Sequence, residues 1–263
     1  MLPTSILGAT SRRREEDDSL NNVAYRKIKE KIIALELSPA ALIDEAGLAA
    51  ELQIGLTPVR QALRRLALEN LVVILPRRGT IVADLNFSDL QKIFEMRSEL
   101  EALAAQLAAQ RATPEQLAEM ESVLSQAEMF IATGDNDKLI EIDRTLHSLI
   151  ARYAQNEFLE QTLDWLYGHV LRLWNISLHR IDILSEAMNE HHQLLEAMRM
   201  RNGERSANLM RAHIQHFQDT FRSTFQLEQT GARREATDEP QGTADFPQVL
   251  QSLMRLRDPV RSF

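Results

Sequence analysis

The fold of the N-terminal part is decided by LAAELQIGLTPVRQALRRLALENLVVILPRRGTIVA, residues 48–83. Within it, Val59, Leu63 and Leu66 recur at the spacing of one helix face, and Leu68 is a candidate fourth member of that stripe. Apolar residues at this spacing are buried against a neighbouring element in most globular proteins. The stretch therefore predicts a helix that packs on others through one face.

Elements on both sides of this helix complete a recognisable arrangement. Apolar residues recur at near-helical spacing over 22–37, and residues 44–53 open with Asp-Glu and read as a short second helix. After the third helix, two β-rich runs over 71–83 flank Pro-Arg-Arg-Gly at 76–79, which is typical of a hairpin. Three short helices and a hairpin predict a winged helix-turn-helix.

Basic residues lie where such a module would contact DNA. Arg60 and Arg64 are four positions apart, hence on one face of the third helix, opposite its apolar stripe. Arg77 and Arg78 stand at the predicted hairpin tip. Arginine suits contacts to phosphate and guanine. The alternative is a solvated basic face with no partner, but the order of helices, hairpin and basic tip favours DNA binding.

The same stretch resembles the DNA-binding domain of GntR-type regulators, through its TPVR-x-AL-RRL core and its RRG wing. Thr57 is predicted to cap the third helix, with Pro58 at its first position. Gly55-Leu56 and Gln61 depart from the family pattern, so the resemblance does not predict the operator sequence. The resemblance implies operator contacts by Arg60, Arg64, Arg78 and Gly79, and the predicted DNA-binding set also includes Thr57, Arg65 and Arg77.

The rest of the chain reads as helical, with six or seven helices between residues 88 and about 228. The predicted fold class is mainly α: a winged helix-turn-helix followed by an all-α helical bundle. The predicted domains are a disordered tail at 1–20, a DNA-binding domain at 21–84, a helical effector-binding and dimerisation domain at 85–228, and a flexible extension at 229–263.

Composition limits the class of protein. The chain has 263 residues and no cysteine, which excludes disulfides and thiolate metal sites. Net charge is −8, but residues 21–83 carry nine Lys/Arg and six Asp/Glu, so this +3 segment is joined to a remainder of −11. No signal-peptide pattern and no apolar run of about 18 residues is present, so a cytoplasmic protein without a membrane span is expected.

The helical part places polar residues on faces that should be buried. In IEIDRTLHSLI, residues 140–150, Asp143 and His147 lie one turn apart within an apolar stripe, and His213 lies in another. His191 or His192 occupies a third, with periodicity favouring His191 narrowly. Buried polar groups need partners. Either they form a hydrogen-bonded network, or they bind a divalent metal such as zinc, nickel, manganese or iron.

This part resembles the FCD effector domain of the FadR branch of GntR regulators, in IFEMRSELEALAAQLAA, the Asp-x-x-x-His pair, AQN, EH-x-x-LL and LMRAH. The resemblance covers about residues 22–225. It implies that Asp143, His147, His191 and His213 hold a divalent metal, zinc being the first expectation. The EH-x-x-LL register is what selects His191 over His192.

A metal held by four protein ligands would leave open positions for a small carboxylate effector. Arg97 and Arg172 are candidates to bind the same carboxylate, and Asn156 and Trp174 are further candidate effector-binding residues. The alternative for either arginine is a structural ion pair with an internal glutamate such as Glu101.

The sequence thus indicates a ligand-responsive transcriptional repressor, acting as a homodimer on pseudo-palindromic operator DNA, and not an enzyme. One alternative is a DNA-binding protein whose helical domain only dimerises. A second is a metal-dependent hydrolase, which needs a general base near the metal. Glu190 is the neighbouring glutamate in the motif, but it lies about 100° round the helix from His191. A hydrolase also leaves residues 22–83 unexplained.

Overall fold

The computed structural model describes residues 19–84, 87–177 and 183–235, with side chains described as far as residue 223 apart from a few positions near helix ends. The chain divides into two compact units, Met1–Leu85 and Asn86–Phe263. The predicted disordered tail, up to residue 18, and residues 236–263 of the predicted extension lie outside the described residues. Among the helices described, none has the length and apolar character needed to cross a membrane.

The first unit contains three helices followed by a hairpin, which confirms the predicted winged helix-turn-helix order. Its elements are α1 (Leu20–Ile33), α2 (Glu45–Leu52), α3 (Leu56–Leu68), β1 (Val72–Leu75) and β2 (Gly79–Val82). The two strands are antiparallel, with Val72 opposite Val82 and Leu75 opposite Gly79.

The core of this unit lies between α1 and α3. Ile28 and Ile32 of α1 and Leu63 and Leu66 of α3 are all buried, as the helical periodicity predicted. Leu68 is not part of this core, because it is 85% exposed at the last position of α3. The buried apolar stripe therefore ends at Leu66, two residues before the helix does.

Helix starts agree with the prediction for α2 but not for α3. Asp44 caps α2, and its Oδ1 accepts hydrogen bonds from the backbone N–H groups of Ala46 and Gly47. Helix α3 begins at Leu56 with Gly55 as its N-cap and no side-chain capping bond. The prediction that Thr57 caps α3 was therefore wrong, since Thr57 is already the second residue of the helix.

The hairpin turn requires its glycine. Gly79 has φ +102°, a conformation that L side chains rarely adopt, and a Cβ there would approach Leu42 Cδ1 to 3.2 Å. Arg77, in the same turn, has φ 63°. The RRG motif is thus explained by the turn that presents its two arginines at the tip.

The second unit is entirely helical over the residues described. Its seven helices are α4 (Phe87–Arg111), α5 (Pro114–Leu124), α6 (Ala127–Thr133), α7 (Asn136–Tyr153), α8 (Glu157–Ser177), α9 (Ile183–Arg199) and α10 (Gly203–Glu235). The last helix continues to Glu235, so residues 229–235 are helical, although the sequence placed them in a flexible extension.

Helix α4 is central to this unit, since it contacts α7, α8, α9 and α10. Small residues such as Ala105 and Ala108 are fully buried along it, which allows the neighbouring helices to approach closely. Near its first turns, Phe94 packs against Phe217 of α10 with ring centroids 5.5 Å apart. Side chains that point inward from α4, α7, α9 and α10 can therefore meet.

Candidate metal centre and nucleic-acid interface

Four buried polar side chains converge inside the helical unit. Asp143 and His147 come from α7, His191 from α9 and His213 from α10, and each offers one ligand atom within 4.8 Å of the others. The i, i+4 spacing places Asp143 and His147 on one face of α7, directed at the same point. The four residues that the resemblance selected as ligands are thus brought together.

Distances within this cluster fit a single metal ion. His147 Nε2 lies 3.2 Å from His213 Nε2 and 3.6 Å from Asp143 Oδ1, and His191 Nε2 lies 2.9 Å from Asp143 Oδ1. Ligand atoms bonded to one zinc at about 2.1 Å would lie roughly 3.0–3.4 Å apart. The donor set, three imidazole nitrogens and one carboxylate oxygen, suits a small divalent ion.

Two further carboxylates hold the histidine rings from outside. Glu101 Oε2 makes a short contact with His147 Nδ1, and Glu190 Oε2 lies 2.7 Å from His213 Nδ1. Metal-binding histidines usually donate their second ring N–H to such a partner, which directs the other nitrogen at the metal. Sequence reasoning had considered Glu101 only as an ion-pair partner and Glu190 only as a candidate base, so it missed these contacts.

Tyr167 of α8 fixes the orientation of the aspartate. Its hydroxyl donates to Asp143 Oδ2 at 2.7 Å, which leaves Oδ1 directed at the histidines. Burial, together with the charge on Asp143, raises the pKa of Tyr167 well above its ordinary value, so the hydroxyl keeps its proton. Tyr167 is therefore a donor to the carboxylate at any physiological pH.

The cluster also shifts the protonation of its members. Burial alone would lower the pKa of His147, but the charges of Glu101 and Asp143 raise it to about 9. The pKa of His191 falls to about 4, because of burial and the neighbouring His213. Burial opposes ionisation of Asp143, yet His147 and His191 hold its pKa well below the usual range. In the metal-free protein, the raised pKa means that His147 keeps a proton at neutral pH, and its positive charge compensates the neighbouring carboxylates.

Arg97 forms an ion pair with Glu101 beside the candidate metal centre. Its Nε donates to Glu101 Oε1 at 2.5 Å, and both side chains are almost completely buried. Burial would raise the pKa of Glu101, but Arg97 and then His147 lower it to about 2. The structure places Arg97 in the ion pair with Glu101 that had been left open as the alternative to effector binding.

Of the other predicted effector-binding residues, the structure describes the side chains of Arg172 and Asn156. Arg172 is fully buried on α8. Asn156 precedes α8 and its Oδ1 accepts a hydrogen bond from the backbone N–H of Leu159 at 3.3 Å. Asn156 lies beyond the end of α7 at Tyr153 and lines a surface cavity with Arg111 and Phe158, neither of which belongs to the cluster. The side chain of Trp174 lies outside the described residues.

In the first unit, exposed arginines form a basic surface on α3 and the hairpin tip. Arg60, Arg64, Arg77 and Arg78 are all exposed. Arg60 Nε also contacts Glu45 Oε2 of α2 at 2.8 Å. This contact holds the Arg60 side chain between the two helices of the helix-turn-helix.

Arg65 differs from the other two arginines of α3. Its guanidinium lies 3.7 Å from the centre of the Tyr25 ring, and its Nη1 donates to Asn22 Oδ1 at 3.2 Å. Both partners belong to α1. This side chain therefore joins α3 to α1, and its predicted role in DNA binding stays a prediction.

Comparison with known proteins agrees with both halves of the chain. Residues 20–82 match the family of bacterial regulatory proteins of the gntR type, and residues 92–216 match the FCD domain. This chain is a transcriptional regulator with a GntR-type DNA-binding domain and an FCD domain. The winged helix-turn-helix is the DNA-binding module of this GntR/FCD regulator, and the metal-binding candidates belong to its FCD domain.

Relatives of this GntR/FCD regulator span most of its length. The HTH-type transcriptional regulator YdhC of Bacillus subtilis is 27% identical over 196 residues, covering 73% of this chain and 86% of YdhC. The HTH-type transcriptional repressor RspR of Escherichia coli is 24% identical, covering 77% and 89%. The solved structure of E. coli McbR/YncC has the same fold, with TM-score 0.70, 24% identity, and coverage of 79% and 99%. These relatives are named as regulators, not enzymes.

Replacing Arg64 or Arg65 by alanine is expected to have different effects on DNA affinity and on stability. Arg64→Ala should weaken binding to a duplex selected by the wild-type protein by about 1–3 kcal/mol, because a base or phosphate contact is lost. Arg65→Ala should affect DNA binding less and instead lower stability by about 0.5–1 kcal/mol through loss of the contact with Tyr25. Fluorescence anisotropy and thermal unfolding test the pair, and equal losses of DNA affinity would contradict the assignment.

Proposed function

We propose that this regulator binds one divalent metal ion through Asp143, His147, His191 and His213, zinc being the first expectation, and senses a small carboxylate effector at that centre. The observation that carries the proposal is the convergence of four buried ligand atoms on one point, with outer carboxylates directing two of the histidines. When bound, the metal supplies positive charge and coordination positions that a carboxylate can occupy.

Charge in and around the centre supports a divalent cation. With neutral histidines, Arg97 compensates the charge of Glu101 in the ion pair that the structure describes, and the carboxylates of Asp143 and Glu190 contact histidines. Burying uncompensated charge costs several kcal/mol per ion. A divalent cation compensates these charges, whereas the metal-free cluster depends on a retained proton.

The regulatory step couples this centre to DNA. We infer that the protein acts as a homodimer on a pseudo-palindromic operator, since two winged modules read two half-sites. The effector changes operator binding only by binding one arrangement of the modules more tightly than the other. The name of RspR, a transcriptional repressor, supports repression as the direction of control.

Metal content by mass spectrometry tests the proposal directly. Protein purified without added metal or an affinity tag should contain about one metal ion per chain, and Asp143→Ala and His213→Ala should each abolish it. His192→Ala is the matched control, because His192 is exposed beside His191 and should leave the metal content unchanged. A wild-type protein that remains metal-free after Zn²⁺, Ni²⁺ and Mn²⁺ are offered would contradict the proposal. The four side chains would then form a hydrogen-bonded network, and the helical domain would serve only dimerisation.

A further inference from the structure

We propose that Glu190 is a positioning residue for the metal centre, because its carboxylate binds two histidines of α10 at once and thereby orients His213 toward the other ligands. This inference rests on the proposed metal site and goes beyond its ligand set. Glu190 is not itself a ligand, and it acts through His213.

The geometry of the contact is specific. Glu190 lies on α9 immediately before the ligand His191, and its side chain crosses to α10. There Oε2 lies 2.7 Å from His213 Nδ1, and Oε1 lies 2.8 Å from His216 Nδ1. With Nδ1 of His213 held by Glu190, its Nε2 faces His147 Nε2 at 3.2 Å. One carboxylate thus joins α9 to α10 and sets the ring orientation of a ligand.

The corresponding contact on the other side of the centre is built differently. His147 is held by Glu101, which is nearly inaccessible and paired with Arg97. The Glu190 side chain is 26% exposed, and its second histidine, His216, is 32% exposed. A substitution of Glu190 therefore leaves no fully buried charge without a partner, which makes this the position where orientation can be tested apart from folding.

A carboxylate at position 190 has a property that an amide lacks. In the tautomer that carries the proton on Nδ1, His213 and His216 each need an acceptor there, and a carboxylate accepts through both oxygens. Glutamine offers one acceptor oxygen, and its amino group would face the second N–H donor. Glu190→Gln can therefore orient only one of the two rings. Removing His216 ends that competition and leaves the amide oxygen for His213.

The test measures metal affinity of the full-length chain by competition with a zinc chelator, together with the visible absorption of the Co²⁺-loaded protein. Glu190→Gln is expected to weaken Zn²⁺ binding by about 10–100-fold and to alter the Co²⁺ spectrum. His216→Ala should bind close to wild type. The double variant Glu190→Gln/His216→Ala should regain most of the affinity lost in Glu190→Gln.

Glu186→Gln controls for loss of negative charge nearby. Glu186 lies one turn earlier on α9, is 65% exposed and approaches His216 Nε2 only to 3.6 Å, so its substitution should leave affinity unchanged. Circular dichroism of the metal-free variants checks that the helices form. Wild-type affinity in Glu190→Gln, or a double variant as weak as the single one, would overturn this inference alone. A wild-type protein that binds no metal would overturn it together with the proposed function.

Discussion

Replacing Arg97 by methionine is expected to lower the free energy of unfolding of the helical unit by about 3–5 kcal/mol. Arg97 Nε contacts Glu101 Oε1 at 2.5 Å, and their side chains are only 3% and 6% exposed. Without the guanidinium, the Glu101 carboxylate remains buried with one of its charge partners missing. The carboxylate then either stays ionised at a cost or takes up a proton and weakens its contact with His147.

Tryptophan fluorescence can follow this unfolding in the helical unit alone. The chain has two tryptophans, and both Trp165 and Trp174 belong to α8. Urea titration in the presence of a chelator reports the unfolding of metal-free protein, so that loss of metal does not contribute to the difference.

An exposed ion pair between α4 and α10 provides the control. Arg211 Nη2 lies 3.1 Å from Glu99 Oε2, with side chains 42% and 66% exposed. Arg211→Met should therefore cost no more than about 1 kcal/mol. Adding Glu101→Gln to Arg97→Met should recover much of the loss, since glutamine removes the buried charge. A change below about 1 kcal/mol for Arg97→Met would show that the buried pair does not stabilise the domain.

Metal affinity is expected to rise about tenfold per pH unit between pH 6 and 9 and to level off above it. The pKa of His147 is raised to about 9 in the metal-free protein, so this imidazole keeps its proton through neutral pH. Only the neutral ring binds metal, and the proton must leave as the metal enters. His191, with a pKa of about 4, and Asp143 are already deprotonated in this range.

Chelator competition at a series of pH values measures the slope, and calorimetry in buffers of different ionisation enthalpy counts the released protons. Glu101→Gln is the informative variant, because it removes the charge that contributes most to raising the pKa of His147. In this variant the plateau should begin at lower pH. An affinity that stays constant between pH 7 and 8.5 in the wild type would show that His147 is neutral before the metal binds.

Both units could be predicted from local patterns. The helices follow from apolar residues at helical spacing, and the hairpin from β-rich runs around a turn that needs Gly79. These patterns depend on residues that are close in the sequence, so they can be recognised without knowledge of the tertiary structure. The end of α10 was misplaced because residues 229–235 contain glycine and polar residues, which read as a break although the helix continues to Glu235.

Individual side-chain roles were less predictable. Arg60, Arg64 and Arg65 look alike in the sequence, and only the position of α1 beside α3 shows that Arg65 lies over Tyr25. Thr57 and Asn156 belong to motifs that the resemblance emphasised, yet Thr57 lies within α3 and Asn156 bonds the first turn of α8. A motif specifies which residue is present, whereas its contacts depend on the elements that pack around it.

The sequence by itself determined the winged helix-turn-helix and the all-helical unit, because burial on a helix face follows from residue type and spacing. Periodicity left the choice between His191 and His192 open, and the set of four candidate ligands came from the resemblance to the FCD domain. Only the tertiary structure decided how those donors are oriented. Glu101 is 46 residues from His147 in the chain, and Glu190 is 23 residues from His213. The direction of a ring nitrogen is set by its partner on another helix, and no local spacing encodes which helices pack together.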